Sequence, residues 1–107
     1  MIMKNINEPK IEFVDKILSV ISLEKGLSEN TIIAYKKDVC LVLDWFKKND
    51  INFLNANEKN FREFFSFLLN QNYKPSSLSR KLSSFKQFYE ILKEEAYIDI
   101  NPLNNLE

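Results

Sequence analysis

Four stretches of this chain repeat apolar residues at intervals of three and four, and short polar breaks separate them. That spacing lays a stripe along one side of an α-helix, so the chain must pack four helices on one another. The first stripe is Ile11, Val14, Leu18 and Ile21, widened by Phe13 and Ile17. The second is Ile32, Tyr35, Val39, Val42, Leu43 and Phe46. The third is Phe61, Phe64, Phe65 and Leu68. The fourth is Leu78, Leu82, Phe85, Tyr89 and Leu92, with Phe88 also assigned to packing. One Gly and three Pro in 107 residues argue against an all-β chain of tight turns. The fold class expected is all-α: a compact four-helix bundle in one domain.

The ends of the helices can be placed from local chemistry. Pro9 suits a first helical turn, and Gly26 can take positive φ and stop the first helix after about Glu24. Ser28 caps the second helix, which closes through Lys47, Lys48, Asn49 and Asp50. Ile51, Phe53 and Leu54 pin a connector to the core. Asn57 caps the third helix, and Gln71 to Pro75 break it. Pro75 or Ser76 opens the fourth, expected to last to about Ala96. The Asn101-Pro102 pair ends regular structure. Residues 1–9 read as a flexible start, 10–100 as the folded domain and 101–107 as the beginning of a linker.

Composition narrows the function classes. The chain holds no His, one Cys and no Gly-rich phosphate loop, so neither a metal constellation nor an acid–base catalytic set is assembled. No cofactor, metal, catalytic residue or small-molecule substrate is expected. A lone Cys40 makes no internal disulfide and reads as a small apolar packing residue. With no apolar run of membrane-span length, the expected setting is the cytoplasm. Glu94 and Glu95 read as a solvated surface among lysines.

The fourth stretch carries a second message. Opposite its apolar stripe lie Ser76, Arg80, Ser83 and Gln87, flanked by Ser79 and Lys86. Five serines fall in the nine residues 76–84, and no acid occurs between Glu63 and Glu90. Serine is a mediocre helix former, and small side chains let a helix sit deep in a DNA major groove with an arginine free to reach guanine or phosphate. Net charge is zero, 15 basic against 15 acidic residues, but residues 73–98 hold five basic and three acidic, the acids all at the end. The positive field is therefore local. On the second helix, Asn30, Thr31 and Lys37 are candidates for the same surface, near an N-terminus whose free N–H groups favour phosphate. Tyr35, at the edge of the core, can send its hydroxyl to phosphate.

Two runs resemble a known family. LEKGLSENTIIAYKKDVCLVLDWF, residues 23–46, is similar to the second helix of the N-terminal core-binding domain of Xer-type tyrosine recombinases and phage-like integrases, with a G-L-S-x-N-T-x-x-x-Y-x-x-D-L pattern in which Val39 replaces Leu. PSSLSRKLSSFKQFYEILKEEAYIDINPL, residues 75–103, resembles that domain's last helix, S-x-x-R-x-L-S-x-L-R-x-F-Y-x-F-L, with Phe85 for Leu and Lys86 for Arg. The resemblance implies a SAM-like four-helix bundle that forms half of a clamp on double-stranded DNA, with its second and fourth helices facing the major groove. It also implies a separate catalytic domain that performs strand transfer, and partner recombinase subunits in a tetrameric synapse. On this reading DNA recombination and integration are the parent's work, and Tyr97 is not its nucleophile. The alternative is a small helical protein–protein module with no DNA binding.

Overall fold

The computed structural model describes residues 11–106 and contains four helices: α1 (Ile11–Lys25), α2 (Glu29–Lys48), α3 (Glu58–Asn70) and α4 (Pro75–Glu94). Among the described residues there is no strand. The expectations for residues 1–9 and Pro9 lie outside the described residues. The all-α bundle is as the stripes require.

The helix starts follow the capping residues. Ser28 Oγ accepts from Thr31 N at 3.2 Å. Asn57 and Asn60 form a reciprocal capping box, each side chain accepting from the other's backbone N–H at 2.9 Å. Lys74 is the N-cap of α4, without a side-chain cap, and Pro75 occupies the first turn.

Gly26 sits at φ 63° after α1, as expected. The ends of α2, α3 and α4 share a device that the sequence did not advertise with glycine. Asp50, Asn72 and Ala96 all take positive φ. In each case the next residue turns its N–H back to the last helical turn: Ile51 to Phe46, Tyr73 to Leu68, and Tyr97 to Leu92. These are Schellman closures, and each following residue is apolar or aromatic. α4 consequently ends at Glu94, two residues before the expected Ala96, because Ala96 itself is the left-handed residue that closes it.

α1, α2 and α4 pack on one another, and α3 joins them through rings. Phe61 meets Phe46 at 5.1 Å and Tyr89 at 5.2 Å between centroids, while Phe64 meets Trp45 at 5.4 Å and Phe85 at 5.9 Å. Phe46, Phe61, Phe64, Phe85 and Phe88 are all fully buried. The buried Tyr89 hydroxyl donates to the Phe53 carbonyl at 2.7 Å, fixing the α2–α3 connector. Burial holds that phenol far above its ordinary pKa. Cys40 is half-buried, and burial pushes its thiol up, so thiolate is scarce at neutral pH.

Three expectations need correction. Ile11, placed in the first stripe, is about half exposed, at 48%. In the first half of α4, Leu78 and Leu82 are only partly buried, while Lys81 and Ser84 lie inside. The buried face of α4 is one helical row through Lys81, Ser84, Phe85, Phe88, Ile91 and Leu92, and Leu82 falls at its edge. Finally, the segment read as the start of a linker is packed: Asn101, Leu103 and Leu106 are buried. Asn101 Nδ2 donates to the Lys86 carbonyl at 3.0 Å and to Glu90 Oε1 at 3.2 Å, and its Oδ1 accepts from Leu103 N at 3.0 Å. One buried amide thus ties the tail to the side of α4.

Candidate nucleic-acid interface

Two polar bridges bolt α2 to α4. At the first, Asp38 projects from α2 into the seam with 1% of its side chain exposed. Arg80 grips it with both arms of its fork, Nε to Oδ2 at 2.9 Å and Nη2 to Oδ1 at 2.7 Å. Lys81 Nζ reaches Oδ1 at 3.1 Å. The Ser84 hydroxyl has two acceptors in reach, the Lys81 carbonyl at 2.9 Å and Asp38 Oδ2 at 3.4 Å. Lys81, with 6% of its side chain exposed, is further held by Ser77 Oγ at 3.4 Å and by the face of the Tyr73 ring at 5.0 Å. A carboxylate taken out of water needs such surroundings, since an unpaired buried charge costs several kcal/mol. One anion and two cations leave the cluster with net positive charge. The Asp38 hydrogen bonds and charge hold the Arg80 guanidinium more firmly in its charged form.

The second bridge is one turn away. Gln87 Nε2 donates to the Tyr35 hydroxyl at 3.0 Å, and Gln87 Oε1 is buried without a partner. Tyr35 pairs with Gln87, and Asp38 with residues 80–84, so the two helices run in opposite directions along the seam. Tyr35 is therefore a seam residue, 9% exposed, and its oxygen accepts from α4.

The helical rows flanking this seam carry the remaining candidates. On α4, Ser76, Ser79, Arg80 and Ser83 are exposed, and Lys86 and Gln87 are half-buried. On α2, Asn30 and Lys37 are exposed and share a row at helical spacing. Thr31 is half-buried, and its hydroxyl lies 2.9 Å from Ser28 Oγ, so it serves the cap first. Ser79, Ser83, Lys86 and Gln87 also line a cleft of about 620 Å³, whose other wall is Lys25 at the end of α1 and Leu27 in the α1–α2 turn. Asn30, Thr31 and Lys37 do not line it. The cleft brings two lysines, 25 and 86, to the rim of a trough lined by small serines and by Leu27 and Leu82. Such a surface can receive anionic oxygens by charge and hydroxyl donation.

Sequence reasoning missed Asp38, Lys81 and Ser84 as a unit, and Lys25 as a wall of the cleft. A signal for Asp38 was present. It falls between Tyr35 and Val42 on the core stripe of α2, where a carboxylate requires a cationic partner. Lys25 carried no such signal, because its approach to α4 depends on how the end of α1 packs against that helix.

The family model described as "Phage integrase, N-terminal SAM-like domain" matches residues 14–96. The tyrosine recombinase XerD of Rickettsia bellii is 31% identical over 97 residues, which is 91% of this chain and 32% of that protein. XerD of Pseudomonas putida is 33% identical over 89 residues, 83% of this chain and 30% of that protein. XerD of Haemophilus influenzae is 33% identical over 87 residues, 81% of this chain and 29% of that protein. The chain thus spans about a third of the length of the curated relatives it matches. No solved structure matches. With four helices in the matched span and the two resembling runs forming the joined pair α2 and α4, the chain belongs to the phage-integrase N-terminal SAM-like domain family.

Proposed function

We propose that this chain binds double-stranded DNA as the core-binding domain of a Xer-type tyrosine recombinase or integrase, with the outer rows of α2 and α4 facing the major groove. The observation that carries this is the exposed row Ser76, Ser79, Arg80 and Ser83 on a helix bolted to α2 by Asp38. Nothing acidic lies on α4 before Glu90, so phosphates can approach this row without repulsion from its own helix. Asn30 and Lys37 extend the surface on α2, Lys86 and Gln87 continue it along α4, and Thr31 and Tyr35 support it from the cap and the seam. Lys25 adds a cation across the cleft.

The strand-transfer chemistry belongs, on this reading, to a catalytic domain outside the chain. Tyr97 is given no part in it: it follows the left-handed Ala96 that closes α4, and its ring packs edge-on against Phe13 at 5.2 Å. Partner subunits in a tetrameric synapse on DNA, and a cytoplasmic setting, are parts of the same proposal. The last is compatible with the described helices, none of which is long and apolar enough to cross a membrane.

Titration of a labelled random-sequence duplex pool with the 107-residue chain tests the reading. Binding should weaken as salt rises, because each neutralised phosphate releases condensed counterion. Lys86→Ala should reduce the log–log salt slope by about one. A flat salt dependence, or no duplex retained at low salt, overturns the proposal. The rival reading, a protein-binding module, draws on a groove of about 460 Å³ that includes Phe65, Leu69, Leu78, Leu82 and Leu106. It predicts no retained duplex at any salt.

A further inference from the structure

Arg80 is not a free surface arginine. Its Nε and one Nη2 proton are committed to Asp38, yet 49% of its side chain remains exposed. A guanidinium has five N–H donors in a rigid plane. With the side edge taken, three donors remain, and two of them, one on each Nη, form the end-on edge that matches the O6 and N7 acceptors of guanine. Asp38 cannot swing, since Lys81 and Ser84 hold it from below and it is buried. The anchor therefore fixes both the direction and the plane of the guanidinium before any ligand arrives.

From this arrangement we infer that Asp38 is a positioning residue that converts Arg80 from a general phosphate cation into a fixed reader of a guanine edge in the major groove. The inference rests on the DNA-binding reading above and goes beyond it by naming the base and the buttress. A phosphate can also take the fork, but its oxygens accept from many directions, so it needs a fixed plane less than a base edge does. A base edge needs two coplanar donors at set spacing, so orientation decides discrimination. The charge balance agrees: pairing with Asp38 weakens the long-range pull of Arg80 on phosphate while leaving its outward donors intact.

The test has two arms. Without DNA, the Arg80 Nε–H resonance of the wild-type chain should be resolved and slow to exchange with solvent, as expected for a donor locked on a buried carboxylate. A rapidly exchanging, averaged signal overturns the anchor. With DNA, duplexes are enriched from a random pool by the wild-type chain, and affinity is measured for the enriched duplex and each single-base substitution of it. Arg80→Ala should lose about tenfold to a hundredfold discrimination at one G·C pair. Arg80→Lys keeps the charge and the fold but not the fork; it should lose similar discrimination while its salt slope stays near wild type. Asp38→Asn should lose roughly tenfold at that same pair, and nothing more when added to Arg80→Ala. Equal discrimination by wild type and Arg80→Lys overturns the inference even if Asp38→Asn does not fold. Enrichment of duplexes in which Arg80 variants alter no single position overturns the inference alone. Failure of the wild-type chain to enrich or retain any duplex overturns the DNA-binding reading as well.

Discussion

The same two helices, α2 and α4, are joined in two unlike ways. Towards the C-terminal end of α2 the joint is dry and aromatic and runs through α3: Phe46, Phe61, Phe64, Phe85 and Tyr89 are fully buried, Phe61 meeting Phe46 and Tyr89 edge-on and Phe64 meeting Phe85 at a tilt. Nearer its N-terminal end the joint is a carboxylate with two cations and a serine, then a tyrosine and a glutamine. Aromatic burial stabilises without needing one arrangement, since rings can repack. Buried charges add little net stability, because desolvation offsets their attraction, but they are intolerant of displacement. The contrast divides the labour: the aromatic joint holds the bundle together, and the polar joint fixes where the outer rows of the two helices stand. Only the second lies beneath the proposed DNA surface.

Breaking the aromatic joint should have the largest effect. Phe61→Ala removes a fully buried ring that meets both α2 and α4 and should cost about 3–5 kcal/mol in urea unfolding, with little change in the discrimination of whatever folded fraction remains. Asp38→Ala should cost a similar or smaller amount, about 3 kcal/mol, because it strands the buried Lys81 ammonium. The comparison sharpens when both partners go. Asp38→Leu with Lys81→Met should recover most of that loss, to within about 1–2 kcal/mol of wild type. It should still lose duplex discrimination, because Arg80 has no anchor. If the double variant stays as unstable as Asp38→Ala, the polar joint is stabilising after all and the division of labour fails.

Smaller effects test the edges of each joint. Tyr89→Phe leaves the Phe53 carbonyl without its donor and should cost about 1–2 kcal/mol at neutral pH. Its pH signature is distinct. Burial raises the folded phenol's pKa above the ordinary value near 10. The folded state then keeps a proton that the unfolded state releases, so this contribution is intact below about pH 10 and is lost as pH rises beyond it. Unfolding curves of the wild type should fall with pH there by up to about 1.4 kcal/mol per unit relative to Tyr89→Phe; parallel curves would show that the phenol is not sealed. Smallest of all, Arg62→Ala breaks an exposed ion pair with Glu58 one turn earlier on α3 and should change stability by about 0.3–0.5 kcal/mol.

Much of the fold was legible because the relevant forces are local. Stripe spacing, Ser28 and Asn57 caps, Pro75 and Gly26 each act within a turn or two of chain. The outer row of α4 was legible for the same reason, since its serines face away from any stripe. The closures at Asp50, Asn72 and Ala96 were less so: Asp and Asn tolerate positive φ but do not require it, Ala resists it, and each is held there with the apolar or aromatic residue that follows, Ile51, Tyr73 or Tyr97, packed on the bundle.

What the sequence determined by itself is the set of four amphipathic helices, their caps, and a serine-rich basic row free of acids. Tertiary structure alone decided that Lys81 and Ser84 turn inward, that Arg80 is held by a carboxylate 42 residues away, and that Asn101 draws the tail onto α4. The physical reason is that periodicity reports the phase of each helix separately. Burial of Asp38 makes the relative phase of α2 and α4 matter, since an ion pair tolerates only a small displacement before the desolvation cost goes uncompensated. That non-local constraint placed the buried face of α4 one row to the side of its expected apolar stripe, through Lys81, Ser84 and Phe88, and set the arginine in place.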